Sequence, residues 1–198
     1  HPGMGRHLYT TFPTFAAALD AACDALDPYL DHPLKHVMWA TPGTEHAQLL
    51  DQTAYTQPAL FALETALFRL LESWGVHPDY MTGHSLGEIT AHHASGALSL
   101  TDAARLVATR GRLMQSLPEG GTMAAIDATP DEIAPLLEGQ EHHAGIAAHN
   151  APHATVVSGH APTIHTITTH FKDQGRKTRI LNVSHAFHSP LMTPIVET

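Results

Sequence analysis

Gly83-His84-Ser85-Leu86-Gly87 has the G-x-S-x-G pattern of a nucleophile elbow, a sharp strand-to-helix turn that exposes a serine hydroxyl. Residues 78–82 before it predict a short strand, and residues 88–95 after it predict a helix. At the start of that helix the Leu86 N–H can donate to an oxyanion, assisted by the helix dipole. This context favours Ser85 as a nucleophile, and the alternative is an ordinary glycine turn.

Helices are predicted on both sides of the elbow. Apolar residues at helical spacing predict one over 12–26, and a second follows an N-cap at Thr56 and runs through the apolar stretch 59–74. The second helix is apolar nearly all round, which predicts that it is buried. A third helix is expected from an N-cap at Thr101 to Leu117.

Beyond Pro118 the sequence changes to short strands alternating with helices. Strands are predicted over 122–127, 144–150, 154–158 and 177–183, and helices over 130–138 and 162–173. The order βαββαβ is a ferredoxin-like pattern. We therefore expect a large subdomain over 1–117, a ferredoxin-like small subdomain over 118–184, and a return into the large subdomain over 185–198.

The base that would activate the serine is not identified by composition, because the chain holds 18 histidines. His185-Ala186-Phe187-His188-Ser189 lies just past the last predicted strand of the insert, where the chain re-enters the large subdomain. His185 and His188 are both topologically suitable bases. The alternative is that both are ordinary loop histidines.

Arg110 interrupts an apolar stripe on the third predicted helix, whereas Arg105 and Arg112 fall off the stripe and can face water. The stripe consists of Ala103, Leu106, Val107, Arg110, Met114 and Leu117. A guanidinium at such a position must snorkel or meet an anion. An internal salt bridge, a snorkelling head and a bidentate grip on a substrate carboxylate all stay open.

The overall composition excludes several classes of function. Ten Lys and Arg against 19 Asp and Glu leave a formal net charge of −9, which argues against nucleic-acid and anionic-membrane surfaces. Cys23 is the single cysteine, so no disulfide framework is expected. No apolar run reaches the roughly 20 residues of a membrane span. The histidines form no recognised zinc motif, and no metal site is predicted.

Several motifs in order resemble the acyltransferase domain of modular type I polyketide synthases, which is related to the malonyl-CoA:acyl-carrier-protein transacylases of fatty-acid synthesis. The resemblance covers essentially the whole chain and is carried by residues 2–5, 50–61, 83–88, 110–115 and 185–189. It implies an α/β fold, with an α/β-hydrolase-like large subdomain and an inserted ferredoxin-like small subdomain.

The resemblance also implies the catalytic residues. It makes Ser85 the acylated nucleophile and His188 its base. It makes Arg110 the clamp for the free carboxylate of a dicarboxylic acyl unit.

The same resemblance bears on the choice of extender unit. A His-Ala-Phe-His form at 185–188 is associated with malonyl units, and a Tyr-Ala-Ser-His form with methylmalonyl units. Phe187 would fill the space beside the acyl C2, where a serine would leave room for a methyl group. His84, Leu86 and His185 are expected to shape the same substrate pocket.

The resemblance implies no bound cofactor, malonyl-CoA as substrate, and a cytoplasmic location. The implied partners are an acyl carrier protein, which presents a phosphopantetheine thiol, and the ketosynthase and other synthase domains of the same polypeptide. The chain starts at His1 without methionine, which suggests a piece cut from a longer protein. The resemblance implies that this partial domain lacks an upstream oxyanion donor and its C-terminal closure. The alternatives are a fatty-acid-type transacylase, an acyl hydrolase on the same scaffold, and an inactive fragment.

Overall fold

The computed structural model describes residues 1–196, and the chain divides into two compact units, His1–Leu113 and Met114–Thr198. The first unit is helical over the residues described, and the second contains a four-stranded sheet. The subdomain bounds expected at 117/118 and 184/185 stay predictions, as does the return of 185–198 into the large subdomain.

The first unit is built from helices packed on one apolar core. They are α1 (Arg6–Thr11), α2 (Pro13–Leu26), α3 (Leu34–Met38), α4 (Glu45–Leu49), α5 (Thr53–Ser73), α6 (Leu86–Ala94) and α7, which spans Leu100–Gln115. The helix predicted over 12–26 is confirmed as α2, which begins with a proline at its first position. Phe15, Leu19 and Leu26 recur on one face of α2 and are fully buried in this core.

Helix α5 begins earlier than the sequence predicts. It starts at Thr53, so Thr56 lies inside the first turn and is not the N-cap; its hydroxyl donates to the Gln52 carbonyl oxygen at 2.9 Å. Hydroxyl side chains make such local backbone bonds inside helices as well as at their ends, so the capping signal was ambiguous. Leu60 and Leu71 are 38% and 42% exposed. The prediction that α5 is buried is therefore wrong for the face that carries Leu60 and Leu71.

Three further predictions around α6 and α7 are wrong. Residues 78–82 form no strand, since every strand in the described part of the chain lies within 121–180. A strand needs a neighbouring strand to pair with, and residues 78–82 have none among the described residues. Helix α7 begins at Leu100, and Ser99, not Thr101, caps it by accepting the Asp102 N–H at 3.1 Å. Leu106, placed on the apolar stripe, is 45% exposed; the buried stripe runs through Ala103, Ala104, Val107, Ala108 and Gly111.

The second unit confirms the predicted βαββαβ order. Its elements are β1 (Gly121–Ile126), α8 (Pro130–Leu137), β2 (Ala144–Ala151), β3 (Ala154–His160), α9 (Ala161–Asp173) and β4 (Thr178–Ile180), followed by a 3₁₀ helix over Pro190–Ile195. The sheet order β2-β3-β1-β4 with antiparallel pairing is the ferredoxin-like arrangement. The last strand is shorter than the predicted 177–183.

Both helices of this unit cover one face of the sheet. Ile133 of α8 and Ile164, Ile167 and Phe171 of α9 pack with Ile126 in a second apolar core. The helices and the sheet thus enclose the apolar core of the second unit.

Candidate functional site

Ser85 has the backbone conformation of a nucleophile elbow. Its φ of 56° and ψ of −113° are unfavourable for a residue with a side chain, and they place Ser85 as the N-cap of α6. The Gly87 and Glu88 amides donate to the His84 and Ser85 carbonyl oxygens at 3.0 and 3.2 Å, which closes the turn. Strain of this kind persists only where the surrounding structure imposes it, and it concentrates at functional sites.

The two glycines of the motif have different reasons to be glycine. A Cβ on Gly83 would lie 2.0 Å from the carbonyl carbon and oxygen of Gly87, whereas a Cβ on Gly87 would meet nothing within 4 Å. Backbone atoms cannot give way as a flexible side chain can. Gly83 is therefore the residue that lets the chain fold back tightly enough to present Ser85.

The neighbours of Ser85 face in different directions. Leu86 is 7% exposed and its side chain belongs to the apolar core of the first unit, so it anchors the elbow. Its N–H stands at the first position of α6, where backbone amides lack partners within the helix. His84 is exposed. The expectation that His84 and Leu86 shape a substrate pocket stays a prediction.

Arg110 reaches the candidate nucleophile from α7. One terminal nitrogen, Nη2, donates to Ser85 Oγ at 2.9 Å, and Nη1 donates to Gln57 Oε1. Burial lowers the pKa of the guanidinium, yet an arginine stays charged at neutral pH. No carboxylate among residues 1–196 lies within salt-bridge distance of Arg110. The internal salt bridge is thereby excluded for the described residues, and Arg105 and Arg112 are exposed as expected.

Gln57 contacts Arg110 and is a candidate site residue that the sequence analysis missed. It is 6% exposed on α5, where its side-chain amide nitrogen donates to Thr53 Oγ1 at 2.7 Å while its oxygen accepts from Arg110. Gly111 follows Arg110, and a Cβ there would lie 3.1 Å from the Thr53 carbonyl oxygen, so α7 packs closely on this turn of α5. Helix α5 carries other polar residues, among them Thr56, Glu64 and Arg69, so polarity alone did not single out Gln57 in the sequence.

His185 and His188 differ sharply in environment within the second unit. His185 is 3% exposed; its Nε2 donates to the Leu117 carbonyl oxygen at 3.0 Å, and its Nδ1 lies 3.1 Å from Ser184 Oγ. Because a carbonyl only accepts, the neutral ring carries its proton on Nε2, and Nδ1 accepts from the serine hydroxyl. Both ring nitrogens are thus engaged, which makes His185 a poor base. The pocket role expected of His185 stays a prediction.

His188 shares an unusual feature with Ser85. It is exposed, and its φ is also 56°. Ser85 and His188 are the two non-glycine residues with positive φ in the part of the chain that the structure describes. Phe187, beside it, is half-buried against Met114, Leu117 and Met192.

The described part of the chain contains no candidate metal site and no candidate membrane-spanning helix. Within residues 1–196 no group of three or more His, Cys, Asp or Glu side chains is placed to hold a metal ion. Over the same residues, no helix combines the length and the apolar character that crossing a bilayer requires.

Comparison with known proteins decides the family. A family model described as "Acyl transferase domain" matches residues 1–198. The chain belongs to the acyltransferase domain family. Its fold matches a solved acyltransferase domain from the second module of the salinomycin polyketide synthase, with a TM-score of 0.91 and 48% identity over 100% of this chain and 45% of that one. FabD from Acinetobacter baumannii matches with a TM-score of 0.87 and 34% identity over 100% of this chain and 62% of that one. The predicted α/β fold class is confirmed.

The curated relatives of this acyltransferase-family chain are much longer. Polyketide synthase GfsA of Streptomyces halstedii is 51% identical over 200 residues, which cover 98% of this chain and 3% of that protein. Spectinabilin polyketide synthase system protein NorB of Streptomyces orinoci is 51% identical over 196 residues, which cover 99% and 9%. The chain therefore spans a small part of the length of the relatives it matches.

Proposed function

We propose that the chain transfers an acyl group from a coenzyme A thioester to the phosphopantetheine thiol of an acyl carrier protein, through an ester on Ser85. The observation that carries this proposal is the bond from Arg110 to Ser85 Oγ in a strained elbow. A half-buried cation beside a nucleophile suits a substrate that brings its own carboxylate. The long polyketide synthase relatives support carrier proteins and further synthase domains as partners.

In the proposed first half-reaction, His188 takes the proton of Ser85 while Oγ attacks the thioester carbonyl carbon. The developing oxyanion accepts a hydrogen bond from the Leu86 N–H at the positive end of α6. The carbon–sulfur bond then breaks, and the thiolate of coenzyme A takes the proton from His188. Ser85 is left as an acyl ester.

The second half-reaction reverses these roles. His188 takes the proton of the carrier thiol, whose sulfur attacks the ester carbonyl. The carbon–oxygen bond breaks and Ser85 Oγ regains the proton. Such a sequence gives ping-pong kinetics.

Malonyl is the acyl unit that the residues favour. Arg110 can grip the free carboxylate once a substrate displaces its present neutral partners. Phe187 is placed by its packing against Met114, Leu117 and Met192, and would fill space that a C2 methyl group needs. Since one methyl group discriminates by only about 1–3 kcal/mol, Phe187 biases the choice of extender unit and does not fix it alone.

The alternative function on this scaffold is hydrolysis of the acyl ester. Arg110 disfavours it, because a plain hydrolase has no need of a carboxylate clamp. The test is to load the protein with labelled malonyl, remove free donor, and chase with buffer alone or with a carrier protein. Label that moves to the carrier thiol and stays on the protein in buffer supports transfer. Equal loss of label under both conditions identifies a hydrolase.

Recognition of the coenzyme A phosphates is proposed for a basic groove on the second unit. The groove measures about 1000 Å³, and Lys172, Arg176, Lys177 and Arg179 line it, four of the ten Lys and Arg in a chain of net charge −9. Arg176 is already paired with Glu132, whose pKa the Thr129 amide and Arg176 together lower to about 2. The other three are exposed, and no carboxylate of residues 1–196 lies within salt-bridge distance of them.

Replacing Lys172, Lys177 and Arg179 by glutamine is expected to raise KM for malonyl-CoA roughly 5- to 30-fold, because the phosphates lose three attractive charges. The increase should shrink at high ionic strength. Steady-state kinetics would also use a malonyl thioester of N-acetylcysteamine, which lacks phosphates and should show little change. Arg105→Gln, which removes an exposed arginine of α7 that does not line the groove, is the matched control. An equal loss with both donors would contradict the groove's proposed role.

A further inference from the structure

We propose that His185 and Ser189 are positioning residues that hold His188 in its positive-φ conformation, and that their turn is seated on β1 at Gly121. The inference rests on the proposed role of His188 as the base. It assigns His185 a part in the reaction that does not require contact with substrate.

His188 needs such support. A φ of 56° is unfavourable for histidine and persists only where the surrounding structure imposes it, and the His188 side chain is exposed. In contrast to His188, its neighbours in sequence are buried: His185, Ala186 and Ser189 are 3%, 2% and 9% exposed. The turn is therefore fixed by its buried ends, and His188 projects from it.

His185 ties the first end of the turn to the segment that follows α7. Its Nε2–H donates to the Leu117 carbonyl oxygen across 68 residues of sequence, and its Nδ1 accepts from Ser184. Its own carbonyl oxygen accepts the Phe187 N–H at 3.1 Å. Losing the ring would leave the Leu117 carbonyl without this buried donor and release the start of the turn.

Ser189 closes the other end of the turn. Its hydroxyl donates to the Ala186 carbonyl oxygen at 2.6 Å and accepts the Leu191 N–H at 3.2 Å. The first bond brackets Phe187 and His188 between its partners, and the second caps the 3₁₀ helix that starts at Pro190. A single side chain thus joins the turn to the helix after it.

Gly121 of β1 packs directly against the turn at Ala186. A Cβ at this position would lie 2.6 Å from the Ala186 Cβ and 3.2 Å from the Ala186 nitrogen. Gly121 has ordinary strand pairing with His160, so its lack of a side chain is required by the close approach of Ala186. Gly145, in β2 of the same sheet, would place a Cβ 3.9 Å from Pro190 Cδ and is the matched control.

Gly121→Ala is expected to lower kcat for acyl transfer about 10- to 100-fold with KM changed less than about twofold, because the added methyl group displaces the turn that carries the base. Gly145→Ala should leave both parameters near those of the unchanged protein. The double variant G121A/A186G removes the clashing methyl and should recover most of kcat. These measurements use the full polypeptide and a carrier protein.

The His185 variants separate positioning from proton transfer. His185→Phe keeps a ring but no donor and should lower kcat about 10- to 100-fold, while His185→Gln keeps an amide donor for Leu117 and should recover part of the rate. The acid limb of the pH–rate profile should stay in place in both variants, since it reports the base. If that limb disappears in both, His185 is itself the base and the proposal is wrong.

A readout independent of activity keeps this inference separate from the proposed function. Hydrogen exchange in a peptide covering 184–192 should quicken in Gly121→Ala and His185→Phe but not in Gly145→Ala. Unchanged exchange would show that His185 and Gly121 do not hold the turn that carries His188, and it would overturn the proposal whatever the activity. Faster exchange with unchanged kcat shows that the turn does not serve catalysis. If the unchanged protein transfers no acyl group at all, the proposed function fails. The exchange result then still shows whether His185 and Gly121 hold the turn in place.

Discussion

Ser85→Ala is expected to abolish the covalent acyl adduct and to lower transfer to a carrier protein by roughly 10³- to 10⁶-fold. The alanine removes the only atom that can form the ester, whereas the elbow keeps its glycine contact at Gly83 and its capping geometry. Mass spectrometry of the intact protein after incubation with malonyl-CoA should find the mass of one malonyl group on the unchanged protein and none on the variant. Peptide mapping should place that group on Ser85.

Two comparisons sharpen the Ser85 experiment. Ser95→Ala alters an exposed serine at the other end of α6 and should retain the full adduct. The double variant S85A/H188A should be no slower than S85A alone, because a base without a nucleophile contributes nothing. An adduct that persists in Ser85→Ala contradicts the proposed nucleophile.

The adduct should be sought both in the 198 residues and in a longer chain that contains them. An adduct in both shows that the two units suffice for acylation. An adduct confined to the longer chain supports the inactive-fragment alternative for the 198 residues alone. An adduct in neither contradicts the proposed function.

Local patterns predicted the fold where a segment's own residues determine it. The strands and helices of the second unit were predicted in order because alternating and helical periodicities are properties of each segment. The strand predicted at 78–82 does not form, and Leu106, predicted to be buried, is exposed. Both of these predictions depended on parts of the chain outside the segment itself. A strand needs a partner elsewhere in the chain, and the face that a helix buries depends on its neighbours.

The site was predictable only in part for a related reason. The motif located Ser85, and the apolar stripe singled out Arg110 as a residue that had to find an anion or water. Gln57 was missed because its meaning comes from α7 packing across α5, which no local pattern records. The positive φ of His188 was also beyond prediction, since histidine rarely adopts it without contacts from distant residues.

Arg110→Ala is expected to lower kcat/KM for malonyl-CoA roughly 30- to 1000-fold, which corresponds to about 2–4 kcal/mol of lost carboxylate stabilisation. The guanidinium is half-buried, its pKa is lowered by that burial, and its present partners are the oxygens of Ser85 and Gln57. A desolvated cation with neutral partners gains strongly from an incoming carboxylate, because the carboxylate replaces hydrogen bonds to uncharged groups with charge-assisted ones. Initial rates of carrier loading would measure the loss.

The discriminating comparison is between donors, since a damaged site would slow every substrate. Acetyl-CoA lacks the carboxylate, so Arg110→Ala should change its kcat/KM far less than that of malonyl-CoA. Arg112→Ala, which removes an exposed arginine two residues along α7, should change neither donor. Arg110→Lys keeps the charge without the planar fork and should fall between the unchanged protein and Arg110→Ala. Equal losses for both donors in Arg110→Ala would mean that the bond to Ser85 Oγ serves the nucleophile itself, and the carboxylate clamp would be wrong.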